Sequence, residues 1–293
     1  MKLLAVDFSN LIIRQASNPY AARIVDLAGN PMGGAVGSLR QVLRTVEKER
    51  PTHLLVARDG ARDESIRRDI DPAYKAHRPD ADDDLKRQFA AAYQGCEILG
   101  LPVLGFPRYE ADDVIASAAA KFPGDVTVLT GDRDLLALVS PRVEVVLLKP
   151  GGQRRCVSDR DVIDVIHVRA NQVRDFKSLC GDASDGIKGI KGIGKVGALA
   201  LLKDCGTLAE CYRRLDADEP IADVKPALLK KLAEGRADAR IAWRLVGLIQ
   251  TLDVPLDSLL RRPIPDDAEM QLGDAGLAWL WAELDAERAR QNA

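Results

Sequence analysis

The chain has little of what marks several common protein classes. Its five cysteines, Cys96, Cys156, Cys180, Cys205 and Cys211, include no C-x-x-C pair. Free thiols in a reducing compartment are therefore the better reading than a disulfide framework. The three histidines are isolated from one another, which argues against a zinc site. No apolar run reaches the roughly 18–20 residues of a membrane span. The apolar stretch 3–6 stops at Asp7, too soon for a signal peptide. A soluble cytoplasmic protein is the expectation. There are no internal repeats and no low-complexity tracts. Excess positive charge is missing too, since 42 basic and 44 acidic residues leave a net charge of −2. That total does not suggest a nucleic-acid binder, although a local basic surface matters more than the sum.

What is present is an ordinary globular composition, 46% hydrophobic and 29% charged over 293 residues, enough for one large or two modest domains. Through about residue 150, helix-like patterns (37–50, 84–99, 112–121, 134–139) alternate with strand-like ones (3–6, 52–57, 101–106, 126–130, 143–148). This implies βαβ units and a mainly parallel sheet. Gly151-Gly152 lies between 143–148 and 154–157 as a hairpin turn at the sheet edge. After about 170 the strands largely vanish. Val173, Phe176, Leu179 and Cys180 share a helical face ended by Gly181, and helical spacing resumes over 196–202 and 227–250, with Trp243 and 245–249 as its apolar part. Residues 60–83 fit neither pattern; they are charged and broken by Pro72 and Pro79, as a functional loop or lid would be. Residues beyond about 260, with Trp279 and Trp281, could dock on the core or meet a partner, and docking is the preferred reading.

Nine acids carry the chemistry: Asp7; Asp59; Glu110, Asp112 and Asp113; Asp132 and Asp134; Asp182 and Asp185. The first four groups come directly or shortly after strand-like runs. In a parallel sheet such strand ends converge on one crevice. Converging carboxylates raise one another's pKa unless a cation neutralises them. Hard divalent ions take oxygen ligands and usually act on phosphates. Metal-dependent phosphoryl transfer is the predicted chemistry. Each group also has a plainer reading: acids are favoured at helix starts such as Glu110–Asp113, and Asp132 or Asp134 can cap a helix. Capping alone does not predict Asp7 and Asp59.

The stretch Gly189–Gly197 contains two decoys. Gly192, Gly194 and Gly197 spell G-x-G-x-x-G but follow a helix, not a strand, so a dinucleotide fold is not expected. Gly189 to Lys195 nearly spells a P-loop, with Val196 where Ser or Thr must bind magnesium. Two short helices joined by a Gly-x-Gly turn fit better, since such a turn exposes backbone N–H groups to a phosphate. Four lysines (Lys188, Lys191, Lys195, Lys203) and no acid lie between Gly186 and Lys203. A glycine-capped helix pair is the plainer reading. In the polar excursion, i,i+4 pairs such as Asp63/Arg67 suit any exposed helix. Tyr74-Lys75-Ala-His77-Arg78-Pro79 instead suits a flexible strand, with bases to stack and phosphates to grip.

These residues, in this order, resemble the 5′-nuclease superfamily, which includes bacterial flap endonucleases and the 5′→3′ exonuclease domain of DNA polymerase I. The matching stretches are VDFSN (6–10), the strand end at Asp59, YKAHRP (74–79), EADDV (110–114), TGDRDL (130–135) and GDASDGIKGIKGIGKVGA (181–198). The likeness fades near residue 260, and a free-standing enzyme is expected. It implies a PIN-like α/β core over 1–170 with a mainly parallel sheet flanked by helices. It also implies a helical arch near 60–90 and a helical domain over 171–293, whose helix–three-turn–helix near 172–203 holds duplex DNA with a monovalent cation, K⁺. By the same likeness Asp7, Asp59, Glu110, Asp112 and Asp113 serve the first metal, and Asp132, Asp134, Asp182 and Asp185 the second, Mg²⁺ or Mn²⁺. Lys75 and Arg67 match arch cations near the scissile phosphate. Arg14 matches a basic residue beside the site, and Tyr74, Arg78, Lys188, Lys191, Gly192, Gly194 and Lys195 are DNA contacts.

There are departures. Arg58 stands before Asp59 and Ile66 before Arg67 where aromatics are usual, and Lys188 and Lys191 replace family residues. A one-residue length difference makes the Arg67 match looser than that of Lys75. The implied activity is two-metal hydrolysis of DNA at 5′ flaps, nicks or gaps, including RNA-primed ends, in primer removal and repair, by a monomer associated with the nucleoid. The rivals are a PIN-type single-strand ribonuclease and a non-catalytic binder of branched DNA.

Overall fold

The computed structural model describes residues 1–282. Six strands form one sheet: β1 (Lys2–Asp7), β2 (His53–Ala57), β3 (Val103–Leu104), β4 (Asp125–Thr130), β5 (Val143–Lys149) and β6 (Gly152–Cys156), in the order β3-β2-β1-β4-β5-β6. The first five run parallel and β6 is antiparallel to β5. Leu3 to Val6 are wholly buried, as a central parallel strand covered on both faces requires. Successive side chains leave opposite faces. Leu4, Val6, Leu54 and Val56 pack with α1 (Phe8–Ala16), α2 (Gly33–Glu49) and α4 (Asp83–Ile98). Leu3, Ala5, Leu55 and Ala57 pack with α5 (Ala111–Lys121).

That second apolar layer does not stop at the sheet. It continues through α6 (Asp159–Ile166), α7 (Val173–Cys180), α8 (Lys195–Cys205), α9 (Leu208–Asp216), α10 (Pro226–Glu234) and α11 (Arg236–Val246) in one contiguous cluster. Of the segment expected to dock, 283–293 lies outside the described residues, and residues 261–282 dock on the other face. Leu272 of α12 (Ala268–Asp274), with Leu277 and Leu280, is buried there, and Trp279 Nε1 donates to the Val25 carbonyl at 3.0 Å.

Several elements differ from the sequence expectation. The strand expected over 101–106 shrinks to two residues. Pro102 before it has no N–H to donate, and a Cβ on Gly105 after it would stand 2.8 Å from the Arg58 carbonyl oxygen. The helix expected over 227–250 is two helices broken at Gly235, where Ile190 packs so closely that a Cβ would lie 2.2 Å from its Cγ2. Residues 247–250 leave the helix to bond with α5: Asp113 accepts from the Ile249 N–H, and Ser117 Oγ donates to the Ile249 carbonyl. Residues 134–138 form a 3₁₀ turn. The excursion after β2 is helical only at α3 (Ile66–Ile70) and a 3₁₀ turn over 62–64, before α4 begins. The hairpin is present, with Lys149 opposite Gly152 and Gly151 at φ +78°.

Candidate active site

Strand order reverses between β1 and β4, so the crevice beyond their carboxyl ends is the natural binding position of the sheet. Asp7 ends β1 and also caps α1, accepting from the Asn10 N–H at 3.3 Å and from Thr130 Oγ1 at 2.7 Å. Asp59, two residues past β2, accepts from the Ala111 N–H at 2.9 Å, which ties it to the start of α5. Glu110 is the N-cap of α5 and Asp112 lies in its first turn. Asp132 and Asp134 follow β4, and Asp132 Oδ1 accepts from the Asp134 N–H at 2.8 Å. Asp182 and Asp185 arrive from the turn after α7. With Asp134 they place one carboxylate oxygen each within 4.8 Å of one another.

The acids act on one another electrostatically. Burial, then the charges of Asp59 and Asp132, pushes Asp7 up to about 7 despite its hydrogen bonds. Burial, Asp7 and Asp132 hold Asp112 well above the usual carboxylate range. Burial and Asp132 push Asp134 up to about 7 against the pull of Lys177. Asp132 thus couples the strand-end group to the group behind α7. Two lysines compensate part of this charge. Lys75 Nζ donates to both oxygens of Glu110 at 2.9 Å and lies 3.7 Å from Asp185, and Lys177 Nζ donates to Asp134 and Asp182. Burial alone would lower both lysines, but these carboxylates outweigh it and raise them. Asp182 is pushed up by burial yet ends below its ordinary value, because Lys177 and Ser184 bond to it. An all-oxygen set of partly compensated, mutually repelling acids is the donor chemistry of a hard divalent cation.

Not every expected residue joins this cluster. Asp113 is fully buried and turned away. Its oxygens accept from Arg67 at 2.7 and 2.8 Å, from the Ile249 N–H at 3.0 Å and from the Glu110 N–H at 3.2 Å. Neighbours on a helix point about 100° apart, and here Asp112 stays beside Asp7 and Asp132 while Asp113 turns to Arg67 and Ile249. Arg67 is corrected with it. Its guanidinium is 4% exposed, donates also to the Leu245 and Gly247 carbonyls at 2.9 and 3.0 Å, and lies 3.8 Å from Glu110, so four of its five N–H groups are held inside the protein. Tyr74 is buried with Ile187, Ala242 and Leu245, and its hydroxyl donates to Glu110 at 3.0 Å. It offers no face for a base to stack on.

The other cations remain near the surface. Arg78 reaches Asp185 at 2.6 Å and the Ser184 carbonyl at 3.1 Å while staying half exposed. Arg14 lies beside Gly131, next to the Asp132 segment. Lys75 holds a positive φ of 52°, and its N–H donates to the Asp185 carbonyl at 2.9 Å, linking the excursion to the turn behind α7. In that turn Ile187, Ile190 and Ile193 are buried, whereas Lys188, Lys191, Gly192, Gly194 and Lys195 are exposed. The three-residue spacing puts isoleucine inward and lysine outward. Gly194 begins α8 with no capping side chain, so the first N–H groups of that helix face outward. A cavity of about 600 Å³ joins this turn to the acids, lined by Asp132, Asp134, Asp182 and Lys195. A second, of about 1090 Å³, opens beside Asp59, Glu110 and Lys75 under the excursion.

Lys177 and Asn10 were missed from sequence. Asn10 Oδ1 accepts from the Gly131 N–H at 3.0 Å and fixes the approach to Asp132. The signal for Lys177 was its place on the face of α7 opposite Leu179, five residues before Asp182.

Two family models match the chain: 5′-3′ exonuclease, N-terminal resolvase-like domain, over residues 2–173, and 5′-3′ exonuclease, C-terminal SAM fold, over 168–267. The 5′-3′ exonuclease of Bacillus subtilis is 32% identical over 267 residues, 86% of this chain and 89% of that protein. DNA polymerase I of Synechocystis is 34% identical over 239 residues, 78% of this chain, and the chain spans 23% of that longer protein. Among solved structures, the bacteriophage T5 flap endonuclease in complex with DNA and metal ions superposes with a TM-score of 0.65 at 18% identity, covering 94% of this chain and 99% of the other. At that identity the likeness shows the shared fold. With matches running from residue 2 to residue 267, the chain belongs to the 5′-3′ exonuclease family.

Proposed function

We propose that the protein is a structure-specific 5′-nuclease, a flap endonuclease and 5′→3′ exonuclease that hydrolyses DNA phosphodiesters near 5′ single-strand/duplex junctions in primer removal and repair. One observation carries this reading. Asp134, just past the end of β4, meets Asp182 and Asp185 from the turn behind α7, and Lys195, at the end of the outward-facing lysine turn, lines a cavity with Asp132, Asp134 and Asp182.

We assign Asp7, Asp59, Glu110 and Asp112 to a first centre and Asp134, Asp182 and Asp185 to a second, with Asp132 between them. Mg²⁺ or Mn²⁺ suits both, since every donor is a carboxylate. A pair of such ions supplies a nucleophile at neutral pH and stabilises the attacking and leaving oxygens. Lys75 offers the cation for charge developing on the scissile phosphate. The exposed Lys188, Lys191 and Lys195, with the N–H groups at Gly192 and Gly194, hold duplex phosphates, and Arg14 and Arg78 flank the strand being cut. Lys231 Nζ donates to the Gly192 carbonyl at 3.0 Å, and K⁺ is our choice for a monovalent ion at this turn. The division at 170/171 leaves the duplex-holding lysines in the second part, which also supplies Asp182 and Asp185 to the cutting site. It does not separate two cores, because one apolar cluster spans both parts.

The test compares flap DNA, nicked duplex, linear single strand and RNA in Mg²⁺, with a chelator control. Cleavage confined to junction DNA and lost with chelator is expected; preferential cutting of single-stranded RNA would overturn the reading. Asp134→Ala or Asp185→Ala should lower turnover about a thousandfold or more while flap binding persists. A variant that cuts normally refutes the assignment of these acids.

A further inference from the structure

α7 turns Val173 and Leu179 into the core and Lys177 toward the acids. The ammonium bonds to Asp134, which follows β4, and to Asp182, which follows α7. These are two of the three carboxylates whose oxygens lie within 4.8 Å. The lysine is 19% exposed and its partners 18% and 11%, so water screens the contact little. Carboxylate oxygens bonded to one cation bind a second less well, and two cations at contact distance repel. The first centre is compensated differently. Lys75 reaches Glu110 from the excursion, whereas Lys177 is anchored on a helix packed into the core.

We propose that Lys177 is a built-in counter-cation of the second centre: it holds Asp134 and Asp182 together before any ion arrives, and a divalent ion must displace it to be bound there. This rests on the two-centre reading above. It makes Lys177 a positioning residue that sets how tightly the second ion is held, and it makes the second centre the weaker of the two.

The experiment needs no DNA and no turnover. Mn²⁺ binding to wild type, Lys177→Met and Lys177→Arg is followed by titration calorimetry, and thermal melting is recorded in chelator and in Mn²⁺. Wild type should show a tighter and a weaker class of ion. Lys177→Met should tighten the weaker class about tenfold or more, the equivalent of one pKa unit of charge interaction, while Lys177→Arg keeps it weak. Asp185→Ala should remove that class. In chelator Lys177→Met should melt below wild type, and Mn²⁺ should close the gap. If the methionine variant fails to fold, Lys177→Gln carries the same expectation, with a donor retained and the charge removed. Unchanged or weaker Mn²⁺ binding in the uncharged variants overturns the proposal while leaving the two-centre reading intact. No Mn²⁺ binding by wild type or any variant removes both.

Discussion

Arg67 and Asp113 show how one side chain's surroundings decide its role. Both are nearly inaccessible and bonded through two parallel contacts, and each also bonds to the backbone of 245–249. Removing one partner of such a buried pair leaves an uncompensated charge. Arg67→Met or Asp113→Ala should therefore cost about 3–5 kcal/mol, read by urea denaturation. Replacing both with apolar residues of similar volume should recover part of the loss. Unchanged stability in the single variants would restore a purely catalytic role for Arg67. From sequence, Arg67 and Lys75 both read as arch cations near the scissile phosphate, with the looser match at Arg67. Only burial separates them: Lys75 ends at Glu110 in the acid cluster, and Arg67 ends in a clamp.

At the scale of elements, the packing of the glycine-rich turn against the α10–α11 break positions the proposed duplex contact. Ile190 sits between the exposed Lys188 and Lys191 and presses on Gly235. Gly235→Ala would force its Cβ into that side chain, costing about 1–3 kcal/mol as overpacking does. Flap binding should weaken in the same variant, because the displaced isoleucine carries the lysines on either side. Normal affinity beside reduced stability would separate the turn from DNA binding. The helix and strand patterns were legible because apolar periodicity is local. The break at Gly235 was not, because a glycine inside a helical pattern costs only about 1 kcal/mol and is tolerated there, and the partner that presses on it comes from 45 residues earlier in the chain.

For the whole molecule, the acid cluster links pH, ions and stability. Asp7 and Asp134 are pushed up to about 7, and Asp112 well above its ordinary 3.8. A carboxyl whose folded pKa exceeds its unfolded value keeps its proton longer in the folded state. The folded state then holds more protons between the two values, so stability falls as pH rises from about 4 to 7. In chelator, melting temperature should decline across that window, and Mn²⁺ should reduce the decline by neutralising the ionised acids. A melting temperature that rises steadily over the same range without ions would contradict the cluster's electrostatics. DNA affinity should also fall steeply with salt despite the net charge of −2, because the exposed lysines of the turn act locally. A flat salt titration would remove that surface from the binding account.

The sequence by itself determined the alternation of strand and helix, the parallel sheet and the acids that follow its strands, because side-chain period and strand-end position are properties of a short stretch of chain. It also carried the motifs by which the family is recognised. Only the tertiary structure decided which acids share a charge and which are absorbed into packing. Asp112 and Asp113 are adjacent in the chain yet face different surroundings, and Lys177 meets Asp134 across 43 residues. The energy of a carboxylate depends on the charges and water around it in space, and those neighbours come together only when distant segments pack.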